Sequence, residues 1–270
     1  MLPVRLELCI RAGDAMQIAF YYPRKAVSMT GYSCSQMCEH CRGRALGGMV
    51  APRDGRGLYE MFKDEGEVLL SGGNFGGRVP WEGFEDGIKA LKARGVRIAM
   101  HPGVIGAVDI DALEALCIDQ VLIDFILDDS ILESNYHAPY SSMDVKKMVE
   151  LLLDSRIEVV PHVLYGLEPV EKNEEEIRAL SEYGIKKLVL IFLVGDKRLT
   201  GLESFLESAR KNFDGILAIG CMRGREKEII DPRAVELGFD RIVLPTEKAA
   251  KLAEDLRYDI EIREGCCSFP

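Results

Sequence analysis

Three cysteines in one short run set the chemistry this chain could do: Thr30-Gly31-Tyr32-Ser33-Cys34-Ser35-Gln36-Met37-Cys38-Glu39-His40-Cys41. The thiols stand at i, i+4 and i+7 after a short apolar run, so one loop can wrap three sulfurs around a single metal centre. An iron–sulfur cube takes Cys thiolates, one per iron and usually four. This loop supplies three, which leaves one iron open to bind and activate a small molecule. The competing arrangement is a closed zinc site on Cys34, Cys38, His40 and Cys41. Adjacent ligands such as His40 and Cys41 chelate one tetrahedral ion poorly, so the cube is the stronger reading.

The elements that position such a loop can be sought in the rest of the chain. Its 270 residues suit one large α/β barrel or two ordinary domains, and 47% apolar content allows a sizeable core. A formal net charge of −10, with Lys and Arg dispersed, argues against a nucleic-acid partner. No apolar run approaches the ~18 residues of a membrane span, and Met1–Cys9 lacks a secretory core. A cytoplasmic protein without a membrane partner is expected. Eight cysteines then point to metal ligation or catalysis rather than a disulfide framework. Of those outside the loop, Cys117 falls in an apolar helical stretch and reads as core filler. Cys9, Cys221, Cys266 and Cys267 need another explanation.

From Ala26 onward, short β-branched runs alternate with amphipathic helical stretches. Strands are expected near Ala26–Met29, Glu67–Leu70, Arg97–Met100, Gln120–Leu127, Ile157–Leu164, Lys187–Val194, Gly215–Ile219 and Arg241–Leu244. Their near-continuous apolar character suits parallel strands buried on both faces. Helices are expected over Glu82–Arg94, Asp144–Leu153, Glu174–Tyr183, Leu202–Phe213, Pro232–Leu237 and Glu247–Leu256, with Gly95, Gly184 and Gly238 as stops. Eight strand–helix units predict an α/β fold of the TIM type, a (β/α)8 barrel. The alternative is an open (β/α)6 partial barrel with a C-terminal extension. The chain divides into an N-terminal extension (1–25), the barrel (26–257) and a Cys-Cys-Ser tail (258–270).

Function in such barrels sits after the strands. The first strand leads into the Cys loop. The second leads into Ser71-Gly72-Gly73-Asn74, a turn whose glycines allow close backbone approach. His101 follows the third. Asp124, inside an apolar fourth strand, must be paired or face a polar cavity, with Asp128 at its rim. The fifth carries Pro161-His162 and ends at Gly166, the sixth runs into Gly195-Asp196-Lys197-Arg198, and the seventh ends Gly220-Cys221-Met222-Arg223.

The Cys-x3-Cys-x2-Cys loop resembles the signature of the radical S-adenosylmethionine (SAM) superfamily. The resemblance implies a [4Fe-4S] cluster on Cys34, Cys38 and Cys41, with SAM chelated at the open iron. It also implies an electron donor such as ferredoxin or flavodoxin. His40 stands where that family usually has an aromatic residue. Ser71-Gly72-Gly73-Asn74 resembles the family's Gly-Gly-Glu element, which contacts the SAM amino group, with Asn74 in place of Glu. The segments around Asp124, His162–Gly166 and Gly220–Arg223 resemble those of biotin-synthase-like enzymes. They imply that Asp124, His162 and Gly166 lie beside SAM or substrate, and that Cys221 and Arg223 face the mouth.

The tail, Gly265-Cys266-Cys267-Ser268-Phe269-Pro270, leaves two readings open. Cys221, Cys266, Cys267 and Cys9, with Ser268 as a hard ligand, could form a second iron–sulfur cluster. Otherwise these are ordinary thiols, or the tail docks on a partner chain. On a biotin-synthase-like barrel this tail resembles the archaeal-type two-component lipoyl synthase. That resemblance implies a transferase inserting sulfur into an unactivated C–H bond of an octanoyl-lysyl carrier protein, together with a second radical SAM subunit. The alternatives are a single-cluster mutase or lyase acting on a small molecule, a non-catalytic subunit that holds a cluster, and a zinc-dependent barrel hydrolase using His101 and His162.

Overall fold

The computed structural model describes residues 16–24, 26–194 and 199–270. Cys9 and the run Gly195–Arg198 lie outside the described residues. Among the described residues there are ten strands: β1 (Gln17–Tyr22), β2 (Val27–Ser28), β3 (Glu67–Ser71), β4 (Arg97–Met100), β5 (Gln120–Asp124), β6 (Glu158–Tyr165), β7 (Lys187–Phe192), β8 (Ile216–Ile219), β9 (Arg241–Val243) and β10 (Asp259–Glu264). Every pairing between them is parallel. Leu70, Ile98, Val121, Val160, Leu188 and Leu217 are buried on these strands, because helices cover one face and the interior of the curl covers the other.

The ladder runs β10-β1-β9-β8-β7-β6-β5-β4-β3-β2. It leaves β10 and β2 as edges, so the sheet curls without its hydrogen bonds closing the expected complete eight-stranded barrel. Two features account for this. Only Pro23 to Ala26 separate β1 from β2, far too few residues for a parallel crossover. β2 therefore continues the run of β1, which pairs with β9 and β10 while β2 pairs with β3. The terminal run Asp259–Glu264 then adds beyond β1 and occupies its other edge.

The expected helices are present as Glu85–Ala93, Ser142–Leu153, Val170–Glu182, Leu202–Asn212, Lys227–Glu236 and Glu247–Asp255. Three more, Gly55–Phe62, Ala107–Ala115 and Asp129–Ser134, fill connections left unassigned by the pattern. Ser141 and Asp144 form a reciprocal capping box at the start of Ser142–Leu153. Gly184, at φ 72°, follows a helix end where a left-handed residue is needed.

One residue differs from expectation and a second has a local role. Cys117 is exposed, at φ 56°, just past the end of Ala107–Ala115, so it fills no core. Asp128, expected at the rim, is engaged locally. Its carboxylate accepts from the backbone N–H groups of Ser130 and Ile131 and caps the helix Asp129–Ser134.

The tail turns into the base of the curl. There, residues that open several strands reach it. Glu67 accepts from the Cys266 N–H at 2.6 Å. Gln120 and Lys187 both donate to the Ser268 carbonyl, at 3.0 and 2.9 Å. Arg241 donates to the carbonyls of Cys267 and Phe269, at 2.6 and 2.7 Å. Arg97 lies 4.8 Å from the centre of the Phe269 ring.

A buried acid beneath the strand-end loops gives a measurable consequence. Glu176, 1% exposed, accepts from the Leu127 N–H and the Asn173 amide. Burial raises its pKa to about 8. A carboxyl raised in the folded state favours folding most below its unfolded value near 4.5, and that advantage is lost as pH climbs through about 8. Glu176→Gln, which keeps the acceptor for Leu127, is expected to flatten the fall in urea midpoint between pH 5 and pH 9. An unchanged slope would remove this assignment.

Candidate active site

One cavity of about 630 Å3 occupies the interior of the curl. Cys34, Cys38, His40 and Cys41 line it from the loop after β2, and Ser71, Gly72, Gly73 and Asn74 from the turn after β3. Asp124 at the end of β5 and His162 in β6 add polar wall, and Cys221, Cys266 and Cys267 line it as well. Gly166 does not line it. At φ 112° it packs against Leu193 and Leu199. Ser268 is 1% exposed and lies behind the wall, where its hydroxyl donates to the Cys266 sulfur at 3.2 Å.

The Cys loop and the glycine turn are built as one unit. The Asn74 carbonyl accepts from the N–H and hydroxyl of Ser35, both at 2.9 Å. The Thr30 hydroxyl accepts from the Gly73 N–H at 2.6 Å. A Cβ on Gly73 would stand 2.0 Å from the Ser33 carbonyl oxygen and 2.7 Å from Cys34. Glycine is required there so that the two loops can touch. On the other flank, Glu39 N–H donates to the Asn135 carbonyl, and the Cys38 thiol lies 3.4 Å from that of Tyr136.

The thiols are already polarised. A hydrogen bond from Cys38 lowers the Cys41 thiol, and the same bond, with burial, pushes Cys38 up. The thiolate is the form that ligates metal. Among the described residues, no three His, Cys, Asp or Glu side chains converge tightly enough for a single ion. A Cys3His zinc site needs that convergence. A cube spreads its thiolates over separate irons.

Several buried polar groups around the cavity have no partner among the described residues. They are the Gln36 amide, His40 Nδ1, Asn74 Oδ1, the Tyr136 hydroxyl and His162 Nδ1. Buried polar atoms left unpaired are costly, so this concentration at one cavity marks where a polar ligand belongs. The His101 and His162 rings stand 5.1 Å apart. Burial lowers both imidazoles, His162 to about 3, so the pair is neutral. Burial also raises Tyr140 to about 12 and holds the Tyr136 hydroxyl protonated.

Tyr136, which follows the Asp124 segment that resembles biotin-synthase-like enzymes, lines the wall, together with Gln36 and Tyr140, which sequence reasoning did not single out. Of these two, only Gln36, inside the Cys loop, carried a positional signal. Arg223 is not free to meet a ligand at the mouth. It is 3% exposed in its side chain and bonds Asp231 through two nitrogens.

No family model matches the sequence, and no curated protein matches it. Solved structures do share its fold. Methylornithine synthase (PylB) aligns with a TM-score of 0.61 at 10% identity, covering 89% of this chain and 82% of that one. HydG, a maturase of the [FeFe]-hydrogenase, gives 0.60 at 15% identity, over 84% of this chain and 57% of its own. The anSMEcpe structure with bound AdoMet and the Kp18Cys peptide gives 0.54 at 13% identity, over 82% and 67%. The chain spans little more than half the length of HydG, and half that of Streptococcus suis SuiB. At such identities these likenesses establish a shared curled, parallel α/β sheet.

Proposed function

We propose that the chain is a radical SAM enzyme. The observation that carries this reading is the seating of Cys34, Cys38 and Cys41 on one cavity, pressed against Gly73 and surrounded by unpartnered polar groups. The anSMEcpe likeness, a structure with bound AdoMet, supports it. The residues fit the cofactor pair: three thiolates would hold a [4Fe-4S] cluster, which with SAM would supply one-electron cleavage to a 5′-deoxyadenosyl radical. Asn74 and Gln36 would bind polar groups of SAM, and Asp124 with the neutral His101–His162 pair would orient SAM or substrate. The apolar walls and the closed base keep water from a reactive species.

The finer reading is sulfur insertion into an unactivated C–H bond, on a second cluster held by Cys221, Cys266 and Cys267. The substrate would be an octanoyl-lysyl carrier protein, with a ferredoxin or flavodoxin as donor and a second radical SAM subunit. Its support is that these three thiols line the same cavity as the Cys34 loop. Among the described residues no helix is long and apolar enough to cross a membrane.

Iron and acid-labile sulfide per chain after anaerobic reconstitution test both levels. The parent is expected to hold about eight irons, falling to about four in a Cys34/Cys38/Cys41→Ala variant. A parent near four, falling to about none, would keep the radical SAM reading and remove sulfur insertion. Zinc without iron would overturn both.

A further inference from the structure

The C-terminal tail is held mainly through its backbone. Three successive carbonyls, those of Cys267, Ser268 and Phe269, each accept from a strand-opening side chain: Arg241, then Gln120 with Lys187, then Arg241 again. Tyr21 adds its hydroxyl to the Phe269 carbonyl at 2.8 Å. Glu158, which opens β6, ties the donors together by accepting from both Gln120 and Lys187, at 2.7 and 2.9 Å.

At the upstream end the grip is by an acceptor. Glu67 takes the Cys266 N–H, while its other oxygen pairs with Arg97 at 2.8 Å. Gly265, at φ 114°, allows this, since a Cβ there would fall 1.9 Å from the Glu67 carboxylate. Phe269 is 2% exposed and anchors the far end.

A tail gripped by its carbonyls, with both ends fixed, has little freedom in where its side chains point. Here Cys266 and Cys267 line the cavity, and Cys221, just past the end of β8, lines the same cavity. The hydrogen bonds of a merely decorative tail would be satisfied equally well by water. These donors are instead largely withdrawn from water: Arg241 is 8% and Gln120 2% exposed, and the Lys187 side chain 12%.

We infer that the tail is an integral wall of the active cavity, and that Glu67, Lys187 and Arg241 are positioning residues. They set the Cys266 and Cys267 thiols on the wall of the cavity that Cys221 also lines, as a second thiophilic surface separate from the Cys34–Cys38–Cys41 loop. The ligand class is a soft metal centre bound through thiolates. The inference rests on the two-centre reading above, but its test needs neither cluster nor SAM.

The experiment is timed alkylation of the cluster-free full-length chain with iodoacetamide, with modified cysteines mapped by mass spectrometry. Glu67→Leu and Arg241→Met are expected to raise the alkylation rate of Cys266 and Cys267 at least tenfold, with Cys38 unchanged. Glu67→Gln, which still offers an oxygen to the Cys266 N–H, and Lys187→Arg are expected to match the parent. That conservative rescue separates positioning from general stabilisation. Parent-like alkylation in both Glu67→Leu and Arg241→Met would overturn the inference. So would a parallel rise at Cys38, which would mean that the whole chain had loosened. Iron counts on the same variants can fail independently, because they test the radical SAM reading and not the tail's seating.

Discussion

A Gly73→Ala chain is expected to lose reconstituted iron and to cleave SAM at least a hundredfold more slowly than the parent. The added methyl would need to occupy space 2.0 Å from the Ser33 carbonyl oxygen and 2.7 Å from the Cys34 backbone. Neither neighbour is the tip of a flexible side chain, so the glycine turn and the Cys loop have to separate. Separation breaks the bonds at Asn74 O and Thr30 Oγ1 that register the loop. A displacement of about 1 Å at a reacting centre commonly costs on the order of a hundredfold. Gly47→Ala is the control. It lies in the segment after the same loop, where a Cβ meets nothing within 4 Å, and it is expected to keep iron and activity. Iron content and 5′-deoxyadenosine release measured on both variants decide the matter. A Gly73→Ala protein with parental values would show that the two loops are not a unit.

The same glycine shows how far the sequence could be read. Its place after the second expected strand marked it as a position of close backbone approach, and the structure shows such an approach to Ser33 and Cys34. The strands from Glu67 to Val243 were legible because they are buried on both faces and interrupted at regular intervals. β1 was not. Its six residues precede the strand–helix alternation and were assigned to an extension, and the ladder to Arg241–Val243 and Asp259–Glu264 makes them a strand. The stretch before Cys117 read as helical but was given no bounds, because the apolar residues of Ala107–Ala115 spread around the axis instead of forming a stripe. Cys117 was misplaced by carrying that helical reading onto the left-handed residue just beyond the helix end.

The thiols of the tail were visible in the sequence, but their position was not. Glu67, Gln120, Lys187 and Arg241 look like ordinary polar residues at strand starts. Only the curl brings them to one base, 199 residues apart in the case of Glu67 and Cys266. Long-range convergence of this kind leaves no local periodicity, so composition and spacing could suggest a second thiol set without showing what holds it.

Arg223 was likewise visible as a residue beside Cys221, and its partner was hidden. Its guanidinium bonds Asp231 at 2.7 and 2.9 Å, the Gly220 carbonyl at 2.7 Å and the Leu244 carbonyl at 3.0 Å. Asp231 also accepts from the Thr246 N–H at 2.9 Å. Its side chain is fully buried. Burial pushes the carboxyl up, and the Arg223 guanidinium draws it back toward the charged form. The pair therefore fastens the loop after β8 to the end of β9, including Leu244 at a left-handed φ of 48°. Removing one partner leaves the other buried and uncompensated, a loss of about 3–5 kcal/mol. Arg223→Met and Asp231→Asn are each expected to lower the melting temperature by roughly 10 °C. The double variant Arg223→Met/Asp231→Leu should recover part of that loss, because no lone charge remains. If Arg223 instead met substrate at the mouth, Arg223→Met would abolish turnover at an unchanged melting temperature. Calorimetry beside single-turnover assays on the same preparations separates the two roles. The buried bidentate geometry favours the stability loss, with Cys221 disturbed only through its neighbour Gly220.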